Sequence, residues 1–154
     1  MTNPDRMAKG YEPDFDIDYE IGQQGELFVK RIVDSMGGGR HEVKTDEVAL
    51  RDMKERGHAN VFLEYECRTR GGWTQSGIAT TKADMWCHVI GDVVIVATVE
   101  QVREITRYYW HHKKYRKECV RGSHPTKAVC IPVWLFLHDL ACGLPDGPQQ
   151  ELAS

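Results

Sequence analysis

Two short acidic stretches in the first half of this 154-residue chain carry the side chains best suited to chemistry. Glu42, Lys44 and Asp46 alternate in one stretch, and Glu64 and Glu66 alternate in the other. Because successive side chains of a β-strand point to opposite faces, residues spaced by two share a face. Each stretch, if it is a strand, therefore directs a row of charged side chains to one side of a sheet.

Such a concentration of carboxylates indicates a bound cation. Neighbouring carboxylates repel one another unless a cation offsets the repulsion, and Mg²⁺ is the usual ion at all-oxygen sites. Mg²⁺ polarises phosphate oxygens and lowers the pKa of a bound water, while a nearby lysine stabilises charge developing on the phosphate. If the two strands pair, Asp46, Glu64 and Lys44 supply these parts and predict metal-dependent phosphodiester hydrolysis. An exposed strand pair with cross-strand ion pairs is the alternative interpretation.

A basic segment over residues 103–127 indicates the partner. It holds eight basic and two acidic side chains, whereas the whole chain has a net charge of −3. A basic stretch on an acidic protein is typical of an anionic partner, most often nucleic acid, although a solvated helix face has the same composition. Interleaved aromatic side chains could stack on unpaired bases. We predict phosphate contacts from Arg107, Lys113, Lys114, Arg116 and Lys117.

Hydrophobic spacing and glycine positions predict the elements of the first half. Apolar residues at helical spacing predict a first helix over 22–36, which a run of three glycines ends. The runs HEVKTD, from His41, and NVFLEYECR, from Asn60, predict strands. The charged segment 47–59 is interpreted as a connection that contains at most a helical turn.

The second half predicts a further helix, a buried strand, a long helix and a late strand. The second helix runs through Lys82 and Trp86, and the apolar run 92–98 predicts a strand buried on both faces. A long helix from Val99 carries the basic residues. The late strand KAVCIPVWLF is expected at a sheet edge because Pro132 cannot donate a ladder hydrogen bond. This order predicts an α/β or α+β domain with helices flanking a small mixed sheet.

Length and composition predict one domain over 16–141, preceded by a flexible arm over 1–15 and followed by a disordered tail over 142–154. No run approaches the ~20 apolar residues of a membrane span, and the N-terminal stretch lacks the apolar core of a secretory signal. We therefore expect a cytoplasmic protein with no membrane contact. The odd number of cysteines and the absence of CxxC argue against a disulfide framework or a ribbon-type zinc site.

In their order, these motifs resemble the PD-(D/E)XK, or restriction-endonuclease-like, nuclease superfamily. Within it, the chain is similar to small phage and prophage members related to Holliday-junction resolvases. The resemblance lies in GQQGE at the start of the first helix, EVKTD, GHANVFLEYECR, and SGIATTKADMW before the second helix. It covers about residues 14–100 and continues more weakly through KAVCIPVWLF.

The resemblance implies a restriction-endonuclease-like core and hydrolysis of DNA with Mg²⁺ or Mn²⁺, without a small-molecule cofactor. It matches Glu26 with a first-helix glutamate often found beside the metal. Asp46 matches the metal-binding aspartate, and Glu64 matches the first acidic residue of the (D/E)XK element. Ser76 would lie near the DNA and could bind a phosphate. The expected protein is phage- or prophage-encoded in a bacterial host, can form a homodimer, and acts on branched recombination or packaging DNA.

The chain departs from the family pattern at the lysine two residues after Glu64, where it has Glu66. Glu66 can fill that position itself, or Lys44 can supply the ammonium group from the neighbouring strand. Lys82, at the start of the predicted second helix, is a third candidate and a candidate DNA contact. The EVK triplet that begins at Glu42 can also be the (D/E)XK element. A catalytically inactive DNA-binding protein and an RNA-processing nuclease remain alternatives.

Overall fold

The computed structural model describes residues 22–23, 26–27, 29–30, 34, 39–120 and 124–145. The predicted arm over 1–15 and the chain from residue 146 onward lie outside the described residues. Every described residue between 22 and 34 is helical, in agreement with the predicted first helix. Among the helices of these residues, none has the length and apolar character required to cross a lipid bilayer.

From residue 39 onward, helices and strands alternate irregularly, and the mixed α+β class is confirmed. A single 3₁₀ turn, Gly77–Ala79, lies between the third and fourth described strands. The elements are β1 (His41–Thr45), α1 (Glu47–Arg56), β2 (Asn60–Thr69), β3 (Gly72–Gln75), β4 (Met85–Ile90), β5 (Val93–Thr98), α2 (Val99–Trp110), β6 (Arg116–Cys119), β7 (Thr126–Pro132) and α3 (Val133–Cys142).

The described strands form two sheets. Sheet A is mixed and has the order β1-β4-β5, with β1 parallel to β4 and β4 antiparallel to β5. Sheet B is antiparallel and has the order β3-β2-β7-β6. The expectation that β1 and β2 pair in one small sheet is wrong, because each pairs with later strands in a different sheet.

Helix α1 occupies the segment that the sequence predicted as a connection. The Asp46 side chain caps its first turn by accepting a hydrogen bond from the Ala49 amide at 2.8 Å. Gly57 ends the helix in the left-handed conformation at φ 72°. Only Ala49 of the ten residues is buried, so the charged sequence reflects a solvated helix packed through a narrow stripe. This helix lies between β1 and β2 in the chain, and the two strands pair in different sheets.

The predicted second helix through Lys82 and Trp86 is wrong. Lys82 lies in the loop before β4, and Trp86 belongs to β4, the central strand of sheet A. Five consecutive residues of β4 are buried, so the strand shows no alternation and its apolar residues imitate a helical stripe. The strand predicted to be buried on both faces, β5, is an edge strand whose Val93 is 60% exposed.

The end of the chain also differs from the prediction. Strand β7 lies inside sheet B rather than at its edge, because Pro132 is its last residue and also precedes the first turn of α3. The proline therefore interrupts no ladder at mid-strand. Helix α3 was missed because its residues are almost all apolar and continue the apolar run of β7. The prediction of a long basic helix is wrong too, since α2 ends at Trp110 and β6 begins at Arg116.

One hydrophobic core joins the two sheets and α2. Helix α2 begins with a capping box in which Thr98 and Gln101 bond to each other's backbone amides. Its buried face contacts strands of both sheets and the 3₁₀ turn. Tyr109 donates a hydrogen bond to Asp139 at 2.6 Å and thereby ties α2 to α3. Large buried side chains of this core are Leu63, Ile78, Trp86, Ile131 and Phe136.

Candidate active site

A β-bulge in β2 separates the two carboxylates that regular alternation predicts on one face. Glu64 is opposite Ala128 on β7, whereas Glu66 is opposite Lys127, and the register shifts between them at Tyr65. Because Lys127 and Ala128 are consecutive and point to opposite faces of sheet B, Glu64 and Glu66 do so as well. The prediction that both glutamates line one face is therefore wrong.

Glu66 faces the side of sheet B opposite to Glu64, the side that also carries Glu118 on β6. Its Oε2 lies 3.7 Å from the Lys127 ammonium group. That ammonium group lies 4.0 Å from the centroid of the Trp73 ring. Glu66 is therefore part of a charged and aromatic cluster on the reverse face, and its catalytic role stays a prediction that this position does not favour.

A cavity of about 480 Å³ lies between the two sheets. Three of the residues predicted from the sequence line it: Lys44 from β1, Asp46 from the start of α1, and Glu64 from β2. Asp52 of α1 and His88 of β4 also line it. The two acidic stretches thus converge on one site, but they do so across a space between sheets and not along a shared ladder.

The Asp46 carboxylate ties three elements together at the cavity wall. Oδ1 accepts a hydrogen bond from the Ala49 amide at 2.8 Å, and Oδ2 lies 3.1 Å from His88 Nε2. The Phe62 backbone in β2 also acts on this carboxylate. Burial acts to raise the pKa of Asp46, but the hydrogen bonds with His88 and Ala49, together with smaller contributions from the His88 charge and the Phe62 backbone, outweigh it and lower the pKa below the usual value. Asp46 is therefore ionised at neutral pH, and His88 carries its proton on Nε2.

The Glu64 carboxylate is held by the 3₁₀ turn that follows β3. Ser76 donates its hydroxyl to Glu64 Oε1 at 2.7 Å. Gly77, at φ 55°, packs so closely that a Cβ there would lie 2.5 Å from the Glu64 carbonyl oxygen. The hydroxyl of Ser76 is thus engaged in orienting Glu64, while its predicted phosphate contact stays a prediction.

Arg103 of α2 fixes the same turn from below. Its Nε donates to the Ile78 carbonyl at 3.0 Å, and its terminal nitrogen donates to the Thr81 carbonyl. These bonds connect the turn beside Glu64 to the most regular helix of the fold. Arg103 therefore supports the structure of the site through two of its guanidinium nitrogens.

Lys44 lies between an acidic and an aromatic side chain. Its ammonium nitrogen is 2.9 Å from Glu42 Oε1 and 6.0 Å from the Trp86 ring centroid. Glu42 Oε2 accepts a hydrogen bond from the Thr81 hydroxyl at 3.1 Å. Glu42 is outside the cavity lining, so in this structure it acts as an anchor for Lys44.

The two remaining predicted site residues lie apart from the cavity. Glu26 shares a neighbouring recess of about 630 Å³ with Lys44, Asp46 and Arg51. Lys82 is exposed in the loop before β4 and lines neither space. Proximity therefore favours Lys44 over Lys82 as the ammonium group of the site.

Sequence reasoning missed His88. It is 1% exposed, and its Nδ1 has no hydrogen-bond partner among the described residues. The parallel register sets His88 directly beside Lys44, and Trp86 beside Glu42. The missing signal was the strand assignment itself: once MWCHVI is a strand, Trp86 and His88 share a face with each other.

Asp46 and Glu64 bring two carboxylates with unused lone pairs to the same cavity. Among the described residues, no group of three His, Cys, Asp or Glu side chains is arranged to hold a metal. Mg²⁺ is commonly bound through one or two carboxylates, with water and phosphate completing its shell. A carboxylate offers about four acceptor positions. Asp46 uses two of these positions in the bonds described above, and Glu64 uses one.

The predicted phosphate-binding residues divide among α2, the turn after it and β6. Arg107 lies 3.6 Å from Glu100, and the Lys114 ammonium group lies 4.8 Å from the Tyr115 ring centroid. Arg116 lies 5.7 Å from the Trp110 ring centroid.

Comparisons of the chain with known protein families, curated proteins and solved structures found no significant match.

Proposed function

We propose that this protein is a metal-dependent DNA endonuclease that hydrolyses phosphodiester bonds. The observation that carries the proposal is the cavity that Lys44, Asp46 and Glu64 line together, although β1 and β2 belong to different sheets. Two carboxylates and an ammonium group at one site can hold a metal ion and stabilise the charge that develops on a phosphate during phosphodiester hydrolysis.

Asp46 and Glu64 would hold Mg²⁺ or Mn²⁺ through one oxygen each. The bound ion would supply a water of lowered pKa and a charge that offsets the phosphate. The chain's own contribution is orientation. Ser76 fixes the rotamer of Glu64, and the bonds to Asp46 keep that carboxylate ionised. Lys44, steadied by Glu42, can bind a non-bridging phosphate oxygen.

A restriction-endonuclease-like core is part of the proposal. A helical segment before a mixed sheet, with Asp46 at the end of the first strand, supports it. The position of Glu64 in a second sheet departs from it. A branched recombination or packaging substrate, a homodimer, a cytoplasmic location and a phage or prophage origin rest on the sequence resemblance alone.

A catalytically inactive DNA-binding protein is the second candidate. The observation in its favour is that Asp46 has a structural role, because it caps α1 and forms a hydrogen bond with His88. An aspartate needed only for these contacts would be retained without any metal chemistry.

A cleavage assay separates the two candidates. A four-way junction, a linear duplex and a single strand are each incubated with the full chain in Mg²⁺, in Mn²⁺ and in EDTA. We expect cutting in either metal, none in EDTA, and the fastest cutting on the junction. Tight binding of DNA without cutting in both metals would instead identify the inactive DNA-binding protein.

A further inference from the structure

A row of three residues across sheet B brings a second lysine to the face that carries Glu64. Lys117 on β6 is directly opposite Ala128 on β7, and Ala128 is directly opposite Glu64 on β2. Residues opposite each other in antiparallel strands share a face of the sheet. With neighbouring strands about 4.8 Å apart, the Cα atoms of Lys117 and Glu64 are roughly 10 Å apart. Ala128 contributes only a methyl group between them.

This face of sheet B opens to the cavity. Cys119, two residues after Lys117, and Cys130, two residues after Ala128, both line it. Burial raises the pKa of the Cys130 thiol, and the positive charge of Lys117 acts in the opposite direction. Lys117 therefore belongs to the face of sheet B that supplies two of the cavity-lining residues.

Lys117 is an uncommitted cation. Among the described residues, none forms an ion pair or a hydrogen bond with its ammonium group, and the side chain is exposed. Lys44 reaches the same cavity from sheet A, with its ammonium group beside Glu42. Lys44 thus lines the cavity from sheet A, whereas Lys117 lies beside the lining on the face of sheet B that carries Glu64.

The side chains that line the cavity include more acidic than basic groups, which opposes the binding of an anion. Asp46, Asp52 and Glu64 together repel a phosphate, and one lysine already bonded to Glu42 offsets only part of that repulsion. A second cation on the sheet B side would complete the binding of an anion that lies between the two sheets. Phosphate oxygens are strong acceptors for lysine ammonium groups.

We propose that Lys44, from the cavity wall, and Lys117, from the adjoining face of sheet B, bind one backbone phosphate of an unpaired nucleic-acid strand. The strand specificity follows from size, because about 480 Å³ is the volume of a small-ligand pocket and admits a single nucleotide, not a base-paired duplex. This inference rests on the proposed nuclease function and names its substrate as a strand that is locally unpaired.

Lysine acetylation followed by mass spectrometry tests the contact without any cleavage. The wild-type chain is acetylated at low reagent dose alone, with a ten-nucleotide single strand, with a blunt duplex and with inorganic phosphate, in Mg²⁺ and in EDTA. We expect the single strand to slow acetylation of Lys44 and Lys117 several-fold and more than the duplex does. Lys54 on α1 and Lys127 on the reverse face serve as internal controls and should react at unchanged rates. An unchanged rate at Lys117 under saturating single strand overturns the proposal.

Matched variants test the energetic contribution. Lys117→Met and Lys44→Met should each weaken single-strand binding about tenfold and lower the salt slope of the affinity by about 0.7. Lys127→Met removes the same charge from the opposite face of sheet B and should bind as the wild type does. Equal affinities for Lys117→Met and Lys127→Met would contradict the proposal.

A thiol measurement tests the position of Lys117 independently of DNA. Because its charge favours the Cys130 thiolate, Lys117→Met should slow alkylation of Cys130 by iodoacetamide at fixed pH, and Lys127→Met should not. An unchanged rate in Lys117→Met contradicts the placement.

The failures of the two proposals are distinguishable. Metal-dependent cutting with Lys117 unprotected supports the nuclease function but contradicts the binding of one phosphate by Lys44 and Lys117, here called the phosphate grip. Protection of both lysines without cutting leaves the phosphate grip and removes the nuclease. A wild-type chain that binds no single strand removes the phosphate grip as well.

Discussion

Glu64 and Glu66 are two residues apart and yet have different surroundings. Glu64 lines the cavity and is held by Ser76, whereas Glu66 pairs with Lys127 on the reverse face. The single extra residue at the bulge produces the difference. From Leu63 to Arg68 the sequence alternates between apolar and charged residues, so nothing in the pattern around Tyr65 predicts the bulge.

The residue types at the site could nevertheless be predicted. Lys44, Asp46 and Glu64 were expected together from charge and spacing, and the cavity does bring them together. His88 could not be predicted, because its place depends on the strand β4 and on the parallel register with β1. Residue chemistry is a local property, whereas the choice of neighbours depends on pairing between distant segments.

At the residue scale, Ser76→Ala should reduce the rate of cleavage about tenfold by releasing Glu64 from a charge-assisted hydrogen bond. Ser76→Thr keeps the hydroxyl at an extended backbone position and should restore most of the rate. Single-turnover cleavage of the best substrate measures both. A Ser76→Ala protein that cuts at the wild-type rate would show that Glu64 needs no such support.

The elements differ in how much of their structure is local. Strands β1, β2 and β7 were predicted because alternation or apolar runs and nearby turns mark them. Helix α1 was missed because its stability comes from its caps and one buried alanine, not from an apolar stripe. Strand β4 was taken for a helix because complete burial in the centre of sheet A removes alternation.

At the scale of the elements, the prediction concerns Gly77 in the 3₁₀ turn and its effect on stability and cleavage. Gly77→Ala should lower the free energy of unfolding by about 2–4 kcal/mol, since it adds a steric clash with the Glu64 backbone to the strain of a positive φ. It should also displace Glu64 and reduce cleavage. Thermal denaturation and cleavage rates measure the two effects.

Gly57→Ala is the matched control for this change. Gly57 also has a positive φ, 72°, but a Cβ there would meet no atom within 4 Å. We expect a loss of about 1 kcal/mol and normal cleavage. Equal effects of the two substitutions would mean that the close approach of Gly77 to Glu64 is unimportant.

At the scale of the whole molecule, the site depends on segments far apart in the chain. Its wall combines β1, α1, β2, β4, β6 and β7, and α2 connects both sheets in one core. Local propensity cannot predict such an assembly. Tyr109 and Asp139 lock this assembly at its C-terminal end, because the hydroxyl donates to a carboxylate that is 4% exposed.

Tyr109→Phe should lower the free energy of unfolding by about 1–3 kcal/mol at neutral pH, because Asp139 loses its donor. Burial and the bond to Asp139 raise the pKa of Tyr109 above its usual value. The stabilisation is therefore complete below about pH 10 and is lost as the pH rises further. Urea denaturation of both proteins at pH 7 and at higher pH should show the difference between them shrinking.

Tyr108→Phe is the control for this pair. The Tyr108 hydroxyl is buried and has no hydrogen-bond partner in the described part of the chain. Its removal should leave stability unchanged or raise it by about 1 kcal/mol. A larger loss in Tyr108→Phe than in Tyr109→Phe would contradict the role given to the bond with Asp139.

The central claim is that the catalytic glutamate of sheet B is the one on the face that lines the cavity. The most direct measurement is metal-dependent cleavage by Glu64→Gln and Glu66→Gln, two isosteric changes two residues apart on opposite faces. Glu64→Gln should lower the single-turnover rate about 100-fold or more, whereas Glu66→Gln should stay within about threefold of wild type. Normal cleavage by Glu64→Gln, or an equal loss in both variants, would contradict the claim.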